Sequence, residues 1–105
     1  MHVLTEFFPE VESGRVQFFC FGCKCPHYVN VAHCDTNPQR PVWGFNGSYE
    51  KPTFTPSVLV DLGQGRVCHS FVTDGRIQYL TDSFHELAGQ TVDLKAVAEW
   101  PDEWF

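Results

Sequence analysis

The run from Ser57 to Leu80 constrains the fold more than any other part of the sequence, because it has the pattern of three short strands joined by two tight turns. The first turn is Gly63-Gln64-Gly65. The second is Asp74-Gly75, a pair that is typical of a two-residue β-hairpin loop. The sequence therefore predicts an antiparallel meander, with five facing pairs around the second turn: Thr73 and Arg76, Val72 and Ile77, Phe71 and Gln78, Ser70 and Tyr79, His69 and Leu80.

This register separates two residues that are adjacent in the sequence and able to take part in chemistry. Successive side chains of a strand point to opposite faces of the sheet. Cys68 and His69 are therefore expected to diverge, unless a bulge interrupts the strand.

The whole chain has the composition of one small folded domain. It has 105 residues, of which 43% are hydrophobic, with ten Phe, three Trp and three Tyr. This is enough for a compact core in a single domain over residues 1–105. The predicted class is α+β, mostly β, with a zinc knuckle and one or two short helices.

Further elements follow from local signals. Strands are predicted from His2 to Phe8 and from Arg15 to Phe21, and Asn46-Gly47 after Val42 to Phe45 is a hairpin signal. A short helix is predicted from Asp82, its N-cap, to Gly89, and a second from Asp93 to Glu99. Residues 99–105 form an acidic and aromatic end, which either packs on the core or serves as a docking tail.

The charge pattern argues against nucleic-acid and membrane partners. The formal net charge is −6 and the basic residues are scattered singly, whereas binding to nucleic acid depends on clustered Lys and Arg. The N-terminus has no signal-peptide pattern, and no apolar run reaches the roughly 20 residues of a membrane helix. We therefore expect a cytoplasmic protein, in which five cysteines favour metal binding or free thiols over disulfides.

A cysteine-rich stretch, "CFGCKCPH", supplies half of a metal site. Cys20-x-x-Cys23 places two thiolates across a tight turn, as in tetrahedral zinc sites. The candidates for the other half are Cys25, His27, Cys34, Cys68, His69 and His85. Cys68 is the preferred third ligand because a strand of the meander holds it, and His69 is taken as the fourth, with His85 and His27 as alternates. One zinc ion is expected.

Catalytic motifs give weaker signals. If the protein is an enzyme, His85, Asp82 and His69 are the candidate catalytic residues of a metal centre with an open position. His85-Glu86 does not continue as H-E-x-x-H, because position 89 is Gly. The serines Ser57, Ser70 and Ser83 lie in no nucleophile elbow, so acyl transfer by a serine is not predicted. Nor does a helix follow Cys20-x-x-Cys23, as a thioredoxin-like motif would require.

Several strings together resemble a known family: "CFGC" with His27 downstream, "WGFNGSYEKPTFTPSVLV", "CHSFVTDGRIQYL" and "DSFHELAGQTVDL". They are similar to short, uncharacterised phage and prophage proteins that often carry the label "ammonia monooxygenase". Phe21 stands where that family has proline, and Ser83 where many of its members have cysteine. The label itself does not fit, since the known ammonia-oxidising enzyme is a multi-span membrane assembly with copper. A more distant similarity is to small domains found beside bacterial ubiquitin-like conjugation genes.

Two functions are compatible with these features. The preferred one is a zinc-stabilised protein-binding module, phage-encoded, that acts in the host cytoplasm on a host or phage protein, for instance against a host defence system. The alternative is a small metal-dependent, hydrolase-like enzyme with a histidine-based site. Of the two, the sequence favours a protein that is not an enzyme. It does not identify the partner, the substrate or the oligomeric state.

Overall fold

The computed structural model describes residues 2–6, 14–33 and 39–101 of the chain. In these ranges the chain forms nine short strands and one 3₁₀ helix, Val97–Glu99. The strands are β1 (Thr5–Glu6), β2 (Arg15–Cys20), β3 (Cys25–Asn30), β4 (Gly44–Phe45), β5 (Phe54–Thr55), β6 (Val58–Asp61), β7 (Val67–Thr73), β8 (Arg76–Tyr79) and β9 (Thr91–Asp93). The described chain is thus β-rich with almost no helix, which confirms the predicted fold class.

The strands form three antiparallel sheets. Their strand orders are β1-β2-β3, β4-β5 and β6-β7-β8-β9. β1 and β2 lie in the two segments that were predicted as strands near the N-terminus, and they pair with each other. β1 is described over Thr5–Glu6, and Phe7 and Phe8 of the predicted strand lie outside the described residues. Because β3 and β6 are both outer strands of their sheets, each has one edge without a neighbouring strand among the described residues.

The predicted meander is confirmed with its register. The four residue pairs next to the Asp74-Gly75 turn are those expected, and the backbone N–H of Leu80 donates to the carbonyl of His69. Asp74 and Gly75 both have positive φ, 50° and 78°, as a tight two-residue hairpin turn requires. The turn residues therefore determine which side chains of β7 and β8 share a face.

The predicted helix from Asp82 to Gly89 is wrong, since this segment is a series of turns. Its backbone hydrogen bonds go to other parts of the fold: the N–H of Phe84 donates to Val67, and that of Gly89 donates to Tyr79. An eight-residue helix is marginal by itself, so these tertiary bonds prevail. Of the second predicted helix, Asp93 ends β9 and only Val97–Glu99 is helical.

The hairpin expected at Asn46-Gly47 is also wrong in its loop length. β4 pairs with β5, and the eight residues between Phe45 and Phe54 form the connection. The Asn46 side chain stabilises this loop by accepting from the Ser48 N–H and donating to the Lys51 carbonyl. Asparagine commonly organises longer loops in this way.

The hydrophobic core lies between the sheets and includes Phe18 of β2, Phe54 of β5, and Val72, Ile77 and Tyr79 of the meander. Near the C-terminus Trp100 is buried, and its ring lies 6.0 Å from that of Phe19. The beginning of the acidic and aromatic end therefore packs on the core, whereas residues 102–105 lie outside the described part. No helix in the described residues is long and apolar enough to span a membrane.

Candidate functional site

Strand β7 carries two clusters of reactive side chains, one on each face. Cys68 points inwards and is buried, whereas the neighbouring His69 is partly exposed on the outer face. The two residues diverge as the strand alternation predicts. Each belongs to a separate cluster.

The inner cluster consists of Cys20, Cys23, His27 and Cys68, whose potential ligand atoms all lie within 4.8 Å of one another. Cys20 ends β2, Cys23 lies in the turn that follows, His27 is on β3 and Cys68 is on β7. Two sheets that are distant in the sequence therefore meet at this point. We call these four residues the Cys₃His cluster.

The Cys₃His cluster fits a metal ion by its donors and by its burial. Three sulfurs and one imidazole are a donor set of structural zinc sites. The His27 side chain is buried, and its Nε2 atom has no hydrogen-bond partner among the described residues. A buried polar atom without a partner is unfavourable, and coordination to a metal would satisfy it.

The pKa values of the three thiols also favour a bound metal ion. Hydrogen bonds from the Cys23 and Cys68 thiols strongly lower the pKa of Cys20, so Cys20 carries the negative charge. Hydrogen bonding to Cys20 raises the pKa of Cys23 and raises the pKa of Cys68 to about 12. A second and a third thiolate therefore need a cation nearby, which a divalent metal would supply.

Further groups support the Cys20 sulfur. The Cys23 backbone N–H donates to it over 3.3 Å, and the Tyr79 hydroxyl lies 3.1 Å from it. Burial raises the pKa of Tyr79, so its hydroxyl keeps its proton and donates. Such donors orient a thiolate and stabilise its charge.

His85 borders the Cys₃His cluster. Its Nδ1 accepts from the backbone N–H of Leu87 at 3.2 Å, which leaves the proton of the neutral ring on Nε2, 3.4 Å from the Cys68 sulfur. The ring packs against Gly22, where an added Cβ would collide with its Cε1 atom. His85 is therefore an outer hydrogen-bond donor to Cys68.

The outer cluster consists of Ser57, His69 and Asp82. The His69 Nε2 atom lies 2.9 Å from the Ser57 hydroxyl, and its Nδ1 atom lies 3.1 Å from the Asp82 carboxylate. Ser57 directly precedes β6, and Asp82 lies in the turn after β8, so three consecutive segments of the meander meet here. This is the hydrogen-bonded order of a serine, a histidine and a carboxylate found in acyl-transfer triads, which are recognised by geometry and not by sequence position.

Ser83 holds the backbone of His69 in place. Its hydroxyl accepts from the His69 N–H and donates to the His69 carbonyl, each over 3.0 Å. The same carbonyl accepts from the N–H of Leu80. Asp82 and Ser83 thus fix the ring and the main chain of one histidine from adjacent positions.

The predicted metal ligands are only partly brought together. Cys20, Cys23 and Cys68 converge, and the alternate His27 stands where His69 was preferred, because both ring nitrogens of His69 face Ser57 and Asp82. Metal ligation itself stays a prediction. The other cysteines differ: Cys25 faces Cys20 across the β2-β3 hairpin but is not in the cluster, and Cys34 lies outside the described residues.

The candidate catalytic residues also separate. His69 and Asp82 contact each other, whereas His85 lies beside Cys68. The sequence reasoning missed Ser57, although the meander register contains the signal: Leu59 pairs with His69, so Ser57 is two residues away on the same face. The sequence predicted no serine nucleophile, and the structure places the Ser57 hydroxyl against the His69 ring.

Most of the chain matches a known protein family. Residues 5–80 match the model of a family described as "Bacterial ubiquitination-like system serine protease (BubE)". The matched range includes Ser57, His69 and the whole Cys₃His cluster, and Asp82 lies two residues beyond it. No curated protein and no solved structure matches the chain. The match agrees with the expected similarity to ubiquitin-like conjugation systems. Three other expectations stay predictions: phage origin, the "ammonia monooxygenase" resemblance and a role against host defence.

Proposed function

The chain belongs to the BubE family of bacterial ubiquitination-like system serine proteases, and from this premise we propose that it hydrolyses peptide or isopeptide bonds in proteins of such a system. The observation that carries the proposal is the continuous set of hydrogen bonds from Ser57 through His69 to Asp82. The substrate is then a protein. The binding-module hypothesis requires no such arrangement.

Each residue of the outer cluster has one role in this reaction. A carboxylate only accepts hydrogen bonds, so the neutral His69 ring donates from Nδ1 to Asp82, and its Nε2 is left to accept from the Ser57 hydroxyl. Ser57 Oγ attacks the carbonyl carbon of the substrate while His69 takes the hydroxyl proton. His69 then gives this proton to the leaving amine, and a water molecule activated in the same way hydrolyses the ester on Ser57.

The exposure of the cluster suits a nucleophile that meets a large substrate. Ser57 is half-buried, and the His69 and Asp82 side chains are 25% and 61% exposed. The serine is thus accessible without unfolding. The solvated carboxylate orients the ring but stabilises its positive charge less than a buried one would, because water screens the interaction.

We propose a supporting role for the Cys₃His cluster, as a structural zinc site. Four protein donors complete a tetrahedral shell and leave no position for a substrate or a reacting water. This argues against the alternative of a metal-dependent hydrolase. Because Cys68 and His69 are adjacent on β7, and His85 joins the Asp82 segment to Cys68, a metal here would fix both parts of the outer cluster that hold the catalytic ring.

Covalent labelling tests the reaction. An ethoxy fluorophosphonate probe should modify Ser57, identified by mass spectrometry of the digested protein. Ser57→Ala and His69→Ala should abolish labelling. Ser48→Ala is the matched control, because Ser48 is a serine of the β4-β5 connection whose hydroxyl accepts from the Lys51 N–H and belongs to neither cluster. Labelling that persists in folded Ser57→Ala, or that never occurs in the unaltered chain, would refute the proposed nucleophile.

A metal count tests the supporting role separately. Elemental analysis of the purified protein should find one zinc per chain, and Cys23→Ala should lose it. If the unaltered chain folds and reacts without any bound metal, the structural zinc site is wrong while the Ser57 mechanism stands.

A further inference from the structure

One edge of β6 offers backbone hydrogen-bonding groups beside Ser57. The Leu62 N–H donates to the Arg66 carbonyl at the end of the β6-β7 hairpin, so by strand alternation Val58 and Val60 direct their N–H and C=O groups at β7. By the same alternation, Leu59 and Asp61 direct theirs away from β7. In the part of the chain that the structure describes, these outward groups meet no strand.

A groove of about 520 Å³ runs along this edge. One wall is β6 and the residue after it, from Leu59 to Leu62, and the other wall is β3, from Cys25 to Tyr28. The β3 wall is a poor partner for a further strand, because Pro26 has no N–H to donate. Backbone pairing in the groove is therefore directed to β6.

The groove leads to the nucleophile. Ser57 is two residues from Leu59, a distance of roughly 7 Å along a strand. At that end Trp43 joins the two walls, since its N–H donates to the Asn30 carbonyl and its indole Nε1 donates to the Ser57 carbonyl over 3.1 Å. A chain lying along β6 thus meets a barrier beside the Ser57 hydroxyl.

We propose that the substrate binds as an added strand on the free edge of β6, pairing its backbone with Leu59 and Asp61 so that the bond to be cleaved lies at Ser57. This inference rests on the proposed hydrolase function and names its substrate class: proteins that present a flexible, extended segment, such as a tail. Backbone pairing of this kind is a general mode of peptide recognition.

The shape of the groove favours a single isolated strand over a second copy of this chain. A dimer through β6 would need the edge of a folded sheet to approach Leu59, and β3 of the same chain occupies the space opposite. A lone extended segment brings no neighbouring strand with it and therefore needs less room between the two walls. The exposed Leu59 and Tyr28 side chains, 57% and 50% exposed, would cover its apolar residues.

The test uses acetylated peptidyl diphenyl phosphonates of one to four residues, each ending in glycine at the phosphonate so that no side-chain pocket is required. The second-order rate constant for inactivation should rise about ten-fold once the peptide is long enough to pair with Leu59, which is the effect of one net hydrogen bond. N-methylation of the pairing residue should remove this gain. The ethoxy fluorophosphonate, which has no peptide, serves as the reference probe.

Variants of Leu59 test the same contact from the side of the protein. Leu59→Pro removes an outward N–H together with the leucine side chain, at a position where proline is tolerated in edge strands. It should react with the longer phosphonates about ten-fold more slowly than Leu59→Ala does, whereas the fluorophosphonate, which has no peptide, should not distinguish the two variants. Leu59→Ala removes the same side chain but keeps the N–H, so the ratio of the rates of the two variants isolates the backbone hydrogen bond.

The outcomes separate the two proposals. If Ser57 does not react with the fluorophosphonate, the hydrolase function fails and the strand proposal fails with it. If Ser57 reacts but the rate is independent of peptide length and of N-methylation, the strand proposal alone is wrong. A concentration-dependent dimer by sedimentation, which the peptides do not dissociate, would show that a second copy occupies the edge. Should Leu59→Pro not fold, the length and N-methylation series on the unaltered chain decides.

Discussion

Replacing Ser83 by alanine tests whether the main chain of His69 must be held for the reaction. Ser83 is buried, 8% exposed, and its hydroxyl makes two hydrogen bonds of 3.0 Å to the His69 backbone. In Ser83→Ala the His69 carbonyl keeps the bond from the Leu80 N–H, whereas the His69 N–H loses its partner. The variant therefore leaves one backbone group unsatisfied, the His69 N–H.

The unsatisfied N–H of His69 sets the expected loss of stability in Ser83→Ala. An unsatisfied, partly buried backbone donor costs about 1–2 kcal/mol of folding free energy. For a domain of this size the midpoint of thermal unfolding should fall by about 5–9 °C. The ring stays tied to Ser57 and Asp82, so we expect a small displacement and a loss of about ten-fold in reactivity, less than the hundred-fold of a full 1 Å displacement.

Two measurements on the same samples check this prediction. Urea unfolding followed by tryptophan fluorescence gives the free energy, and the rate of Ser57 modification by the fluorophosphonate gives the reactivity. Ser83→Thr keeps a hydroxyl and should recover much of the rate, while Ser48→Ala should alter neither quantity by much. If Ser83→Ala unfolds and reacts like the unaltered chain, the reasoning that Ser83 positions His69 is refuted.

The remaining predictions concern both clusters. Asp82→Ala should slow the modification of Ser57 by about a hundred-fold, because the solvated carboxylate orients the His69 ring. His69→Ala should have a larger effect, and equal losses in the two variants would contradict this prediction. Chelation of the metal should lower both the midpoint of thermal unfolding and the reactivity of Ser57, and both should recover when zinc is added back. A loss of metal that leaves the midpoint unchanged would count against a structural site. Gly22→Ala should destabilise the fold by about 1–3 kcal/mol, because its new Cβ meets the His85 ring. The double variant with His85→Ala should be more stable than Gly22→Ala alone, and a double variant no more stable would show that His85 is not the obstacle.

Local sequence signals were sufficient where structure depends on neighbouring residues. The Asp74-Gly75 turn determines the register of β7 and β8, and strand alternation then separates Cys68 from His69. The same local reasoning failed from Asp82 to Gly89. There the capping signals of a helix are present, but the N–H of Phe84 bonds to Val67 in a different element.

The sequence by itself determined that a β-meander forms, that its middle strand places a cysteine and a histidine on opposite faces, and that Cys20 and Cys23 converge across a turn. Only the tertiary structure decided their partners. His27 reaches the three cysteines because β3 packs its buried face towards β7, and His69 meets Ser57 and Asp82 because β6 and the turn after β8 flank it. These contacts depend on how sheets and loops pack across long sequence separations, which the spacing of residues along one strand does not specify.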